Sequence, residues 1–574
     1  MKKLALFSFI AVLSLTCNIK KQAIQETDKK TPSFCGPKVT DLDTEPGFDG
    51  KLAPLFDGLN VLNFPISTQS RLTQKYFNQG LVLAYGFNHA ESVRSFKEAA
   101  NQDPDCAMCY WGIAWALGPN YNAPNVSAEV LPRINEALMN AKLRMSNGSQ
   151  KEQALINALS KRYPKTIEED ASPYYQAFAK EMKQIHETYP EDLDIAAITA
   201  ESLMNLHPWD MWNPEDGTPR EWTPEIVDII EGILKKNPNH PQAIHLYIHG
   251  LEASPYPEKV IPYADKLRDA VPGSGHLVHM PSHTYINTGH YHKGAIANEK
   301  AVKVDSTYVA GCHEAGIYPL GYYPHNWHFL AACAALEGRG NRALEASHYM
   351  ADYVIDHKLM LEPDGVSMQH FYSIPWYIMV KFAMWEEILK EEKPTEQMVY
   401  PNIIWHYARG MAFAAKKNFR SAKVELDAIK SLEEDESLEG KKFFGINHLS
   451  DLIYIARFVL EGELAFRQGD FETSIKLLKA AVAKEDALAY NEPPDWFFSV
   501  RHLLGHVLME ADKYGEAETV YREDLKKLKE NGWALMGLYQ SLQKQGKEFE
   551  TEKILERYKK SFEYSEIELT SSVI

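Results

Sequence analysis

The sequence predicts an all-α fold of stacked helix pairs. Three observations carry the prediction: a helix-turn-helix pattern repeating at 34 residues, helical apolar spacing between the clearest repeats, and five cysteines after Cys17, an odd count that argues against a disulfide framework as the main source of stability. Tyr76, Gly80, Phe96, Ala99 and Pro104 fall on positions 4, 8, 24, 27 and 32 of a unit starting at Thr73. The next unit starts 34 residues on at Ala107, with Tyr110 and Ala114 at its aromatic and small positions.

The elements follow in chain order. Met1-Lys2-Lys3 is a basic start, and Leu4 to Leu15 is an apolar run shorter than the ~20 residues of a membrane-spanning helix, so residues 1–16 read as a signal peptide. Leu13-Ser14-Leu15-Thr16-Cys17 resembles a bacterial lipobox, which implies that Cys17 becomes the acylated, palmitate-bearing first residue of a lipoprotein. Residues 17–57 are polar and lack helical periodicity, as a flexible tether would, and residues 58–574 form the folded body. Within it Ser149 and Glu152 make a capping box, followed by Leu155, Leu159 and Tyr163 on one helical face.

Further units show a turn residue, an aromatic and a small residue in order, as in Gly289-His290-Tyr291 before Ala301 and Asp512-Lys513-Tyr514 before Ala517. Unit starts extrapolate to Leu193, Pro241, Gly275, Pro324, Gln369, Ile403, Ile455, Phe498 and Glu530. The pattern resembles the tetratricopeptide (TPR) repeat family, and with Cys17 it resembles a bacterial lipid-anchored TPR lipoprotein. That resemblance spans roughly residues 70 to 565. It implies a right-handed α-solenoid whose concave groove binds a protein or small-ligand partner.

The histidines give an independent signal. In each unit positions 2, 5 and 9 of the first helix share one face, which in a solenoid lines the groove. His245 and His249, then His276, His279 and His283, then His325 and His328 fall on those positions in three consecutive units. His370, His502 and His506 do so further on, as a second groove site, so that ten of 21 histidines face one way where chance gives about two. Neutral imidazole is a common metal ligand, and first helices of adjacent repeats lie ~8–10 Å apart. The set therefore points to a transition metal, and all-N/O ligands suit Zn, Cu, Fe or Ni. Glu201 and Glu252 lie on the same face as further ligands or as an acid–base pair of candidate catalytic groups.

A metal-free pocket for an acidic ligand, or hydrogen-bonded structural histidines, accounts for the same pattern. His406, at an aromatic position, belongs to the core. Cys106 and Cys109 form a CxxC motif without a second CxxC, which suits buried thiols or a local disulfide. The aromatic loop from His207 to Trp222 covers a solenoid edge.

The net charge of −17 excludes a duplex-binding surface, so no nucleic acid is expected. Phosphate loops, dinucleotide fingerprints, nucleophile elbows and HExxH motifs are missing from the sequence. Three functions remain: a binding or scaffold lipoprotein of the bacterial cell envelope, anchored in a membrane and serving nutrient uptake or polysaccharide utilisation; a metal-dependent hydrolase or oxidase; and a metal store or chaperone.

Overall fold

Helices begin close to where the repeat marks place them. The computed structural model describes residues 50–168, 170–311, 318–362 and 365–574. The signal segment and Cys17 lie outside them, as does Cys312. In the first unit the helix Arg71–Tyr85 is capped by Ser70, whose hydroxyl accepts from the Thr73 N–H. Its partner His89–Gln102 is capped by Asn88 through the Glu91 N–H. Packing fixes the small positions: a Cβ on Gly80 would stand 2.9 Å from the Phe96 ring, and one on Gly112, in the next unit, 2.4 Å from it. Only a residue without a side chain lets the ring sit in both notches.

Helices start at Ala107, Leu193, Pro241 and Gly275, as the repeat register requires. Later starts at Tyr323, Val366, Val399, Arg501 and Gly532 lie within four residues of expectation. The helix Leu449–Arg467 begins six residues earlier than Ile455, because a two-residue hairpin pairing Lys442–Phe443 with Asn447–His448 delivers the chain into it. The Ser149–Glu152 capping box is present in both directions. Among the described residues that hairpin and an isolated bridge between Trp212 and Pro219 are the only β-pairings, and the fold is an all-α helical-repeat solenoid. No described helix is long and apolar enough to cross a membrane.

Two expectations are corrected. Residues 52–57, assigned to the tether, are folded: Ala53 lies in the core, the Leu52 N–H donates to Glu98 Oε2 at 3.0 Å, and the Phe56 N–H donates to Gln79 Oε1 at 2.8 Å. The segment Leu-Ala-Pro-Leu-Phe-Asp is largely apolar, and Glu98 and Gln79 of the first unit satisfy its backbone donors in place of water.

The second correction concerns the groove, because the array turns back on itself. Trp533 Nε1 donates to the Ala335 carbonyl at 3.2 Å, Tyr291 Oη to the Lys529 carbonyl at 2.7 Å, and Glu566 N to the Gly338 carbonyl at 3.1 Å. One apolar cluster consequently runs from Ile286 to Leu569. First-helix faces that an open solenoid would present to solvent are interior here.

Candidate metal centre

His245 and His249 lie one turn apart on the helix Pro241–Leu251, with Glu252 as its C-cap residue. His276, His279 and His283 follow on the helices Gly275–His279 and Pro281–Asn287, which Pro281 divides. His325 comes from the helix Tyr323–Leu336. All are buried except His325, which is half-buried. Neighbouring rings form a continuous chain: His245–His249 centroids are 4.8 Å apart, His245–His276 5.1 Å, His276–His279 5.8 Å, His279–His283 4.9 Å and His279–His325 5.0 Å.

The hydrogen bonds orient these rings. His245 Nδ1 meets the Tyr85 carbonyl at 2.6 Å, His279 Nδ1 meets Asn298 Oδ1 at 2.7 Å, and His249 Nδ1 meets Glu252 Oε1 at 2.9 Å. With Nδ1–H donating in each case, Nε2 is left as a bare lone pair, the tautomer that second-shell partners impose on metal-ligating histidines. Nε2 of His245 and of His249, and both nitrogens of His276, have no protein hydrogen-bond partner. His279 Nε2 faces His283 Nε2 at 2.9 Å.

Three groups bring their ligand atoms within 4.8 Å of one another: His245, His249 and His276; His279, His283 and His325; and Glu252, His283 and Glu492. Burial, reinforced by neighbouring imidazoles, holds His245, His276, His279 and His325 well below the ordinary histidine range, so they are neutral and able to bind a metal. His283 behaves oppositely. Burial opposes its charge, but the Glu492 and Glu252 carboxylates outweigh it and push its pKa up to about 10.

Glu492 escapes the sequence reading. It lies between the helices Phe471–Asp486 and Arg501–Glu510, outside any first-helix register, and arrives only because the array folds back. Asn287 and Tyr490 both donate to its Oε1. Phe87 was equally hidden. It holds φ +54°, rare for a bulky side chain, and packs its ring against His245 at 4.5 Å and His276 at 5.4 Å.

The structure separates the other candidates from this chamber. His328 stacks on Phe497 at 5.0 Å and joins none of the three groups. The second groove site does not assemble: His370 Nδ1 meets Tyr400 Oη at 3.0 Å, His502 lies between Lys381 and Asp524, and His506 Nδ1 meets Ser571 Oγ at 2.9 Å. Each sits on the predicted face, but an interior face offers ordinary hydrogen-bond partners too. Glu201 accepts from Gln242 Nε2 at 2.9 Å, and burial raises its pKa to about 7 despite Arg162. It belongs to none of the ligand groups.

His406 pairs with Glu425. Cys106 and Cys109 form the local disulfide, and Cys333 is a buried free thiol. The His207–Trp222 loop has Trp212 Nε1 donating to the Gly250 carbonyl at 2.7 Å. It also places the exposed Trp209 ring 5.7 Å from His249.

The array is tetratricopeptide-like. No family model matches the chain, and no curated protein matches it. Among solved structures it is similar to the human IFIT1 dimer with m7Gppp-AAAA, at 11% identity over 87% of this chain and 91% of that one, with a TM-score of 0.30. It is similar to the APC/C hetero-tetramer Cut9-Hcn1 at 16% identity, over 82% of this chain and 76% of that one, with a TM-score of 0.30. Yeast Tom70 matches at 14% identity over 84% of this chain and 90% of that one, with a TM-score of 0.27. These likenesses concern the helical repeat and carry nothing about the chamber.

Proposed function

We propose that this helical-repeat protein is a metal-dependent enzyme whose first-row transition metal is held by imidazole Nε2 atoms in the buried chamber. The observation that carries the reading is the tautomer pattern. His245 and His249 spend Nδ1–H on fixed acceptors and leave Nε2 without a protein partner beside the wholly unpartnered His276, while His279, oriented in the same way by Asn298, turns Nε2 toward His283 in the adjoining group. Buried lone pairs without donors cost about 1–3 kcal/mol each, a cost that a bound ion removes. The nitrogen-only sets suit Zn, Cu, Fe or Ni, and the ion would act as a Lewis acid or redox centre. Trp209, exposed beside His249, and the half-buried His325 mark where a small substrate would enter.

A storage role fits less well, because a store needs exposed, exchangeable ligands and these are sequestered. The repeat scaffold also supports a partner-binding role on its outer faces. Location is part of the proposal: the leader and Cys17 suit a lipid-anchored protein of the bacterial envelope, and the Cys106–Cys109 disulfide suits an oxidising compartment.

The test is elemental analysis of protein purified from its native envelope fraction without chelators or a histidine tag. At least one stoichiometric ion is expected, lost in His279→Ala with the helical circular dichroism retained. Metal-free protein that stays metal-free after incubation with Zn(II) and Cu(II) overturns the reading and leaves the scaffold role.

A further inference from the structure

The third ligand group differs from the other two in chemistry and in origin. Glu252 Oε2 approaches His283 Nδ1 at 2.9 Å, and Glu492 Oε2 approaches the same nitrogen more closely still. All three side chains are at least nine-tenths buried. Yet His283 Nδ1, Glu252 Oε2 and Glu492 Oε2 make no hydrogen bond of acceptable direction. Two carboxylate oxygens crowd one nitrogen from directions a single N–H cannot serve, which is how ligands surround a cation. The other nitrogen of the same ring, Nε2, faces His279 Nε2 in the all-imidazole group.

We propose that Glu252, Glu492 and His283 Nδ1 form a second, harder metal site, and that the His283 imidazolate bridges it to the ion held by His279 and His325. The proposal rests on the metal-centre reading above. Each nitrogen of His283 releases its proton to solvent as a divalent first-row ion takes its place, so two protons leave for two ions bound. One nitrogen and two carboxylates suit Zn(II), Fe(II) or Mn(II), and both sets bind Cu(II) when it is supplied, since Cu(II) heads the affinity order for N/O ligands.

The site has a structural consequence. Glu252 ends the helix Pro241–Leu251 in the first half of the chain, whereas Glu492 comes from the returning C-terminal half, 240 residues later. Between the halves Asn287 Nδ2 donates to Tyr490 Oη at 2.8 Å and also reaches Glu492. The second ion therefore clasps the returning arm to the repeats that carry the histidines. It completes the chamber only when the array has closed.

The experiment compares the mature chain with Glu492→Gln, both stripped of metal and then reloaded with Zn(II) or Cu(II). Wild type is expected to bind one more zinc ion per chain than Glu492→Gln, and zinc is expected to slow amide exchange across residues 487–500 in wild type alone. Cu(II)-loaded wild type should show a magnetically coupled pair by electron paramagnetic resonance, and Glu492→Gln an uncoupled signal. Matching circular dichroism of the two stripped proteins checks the fold, with Glu492→Asp as a variant that keeps a carboxylate and partly restores the extra ion. Equal zinc content in wild type and Glu492→Gln, with uncoupled copper in both, overturns the bridged site while sparing the imidazole centre. No metal in either protein overturns both.

Discussion

Asn298 offers a sharp test of the chamber because it touches a presumptive ligand without being one. Its side chain is fully buried on the helix Tyr291–Gly311; Oδ1 accepts from His279 Nδ1 at 2.7 Å and Nδ2 donates to the Gly294 carbonyl at 2.8 Å. In Asn298→Ala the Nδ1–H keeps only Ser282 Oγ, at 3.3 Å, as a neighbour. Losing the good partner of a buried donor costs about 1–3 kcal/mol of stability. The ring is then free to change tautomer or flip, and loss of such an orienting partner typically weakens metal binding 10–100-fold. Asn298→Asp should act oppositely, since a carboxylate raises the basicity of Nε2. Competition titration of stripped protein with Zn(II) against a chromophoric chelator reads the affinity, and urea unfolding reads the stability. An Asn298→Ala protein that is destabilised yet binds zinc as tightly as wild type would refute the assignment of His279 Nε2 as a ligand.

Other expectations follow from the same contacts. His370→Ala and His502→Ala should leave the metal content of purified protein unchanged, as elemental analysis would show, because neither ring belongs to a three-residue ligand group among the described residues. Trp533→Ala should destabilise the protein by about 3–5 kcal/mol in denaturant unfolding, since it removes a fully buried indole and its hydrogen bond to Ala335. Gly112→Ala should cost about 1–3 kcal/mol in the same assay through overpacking against Phe96. Glu201, with its pKa raised to about 7 by burial, holds a proton that the unfolded chain, near 4.5, has released. Its contribution is thus fully present below about pH 4.5 and lost as pH rises through about 7, a fall of up to ~3 kcal/mol that Glu201→Gln should not show in unfolding curves from pH 4.5 to 8.

How much of this was legible in the sequence depended on whether the signal was local. Tyr76, Gly80, Phe96 and Ala99 act within one helix pair or between neighbours, so a fixed spacing reports them, and the helix starts at Ala107, Leu193, Pro241 and Gly275 follow from that spacing. The six chamber histidines were legible for the same reason: a shared face on consecutive first helices is a periodic property. What periodicity could not say is which way that face ends up. Ring closure through Trp533, Tyr291 and Glu566 turns the expected groove into an interior, and nothing in a nearest-neighbour repeat announces a contact between residues 335 and 533.

The same argument explains why the register chose rightly among some histidines and wrongly among others. A face position is necessary for a ligand but not sufficient, because each interior imidazole must find partners and takes the first that packing offers. His502 finds Asp524 and Asn531 on the adjoining repeat and is satisfied, whereas His370 bonds Tyr400 through Nδ1 alone and leaves Nε2 without a partner, yet it joins no three-residue ligand group among the described residues. His245 and His249 find an acceptor for one nitrogen only and His276 finds none, with the Phe87 wedge and neighbouring rings packed against them, while His279 turns its second nitrogen toward His283. Buried groups left unsatisfied in concert, on elements that are otherwise well packed, are what a protein tolerates where a ligand will complete them. Glu492 extends that logic across the closure: its second oxygen pairs with His283 Nδ1 without hydrogen-bond geometry, while Asn287 and Tyr490 hold the first firmly in place. A carboxylate anchored by one oxygen and turned by the other toward an imidazole from the opposite arm is positioned to bind an ion as well as to fill space.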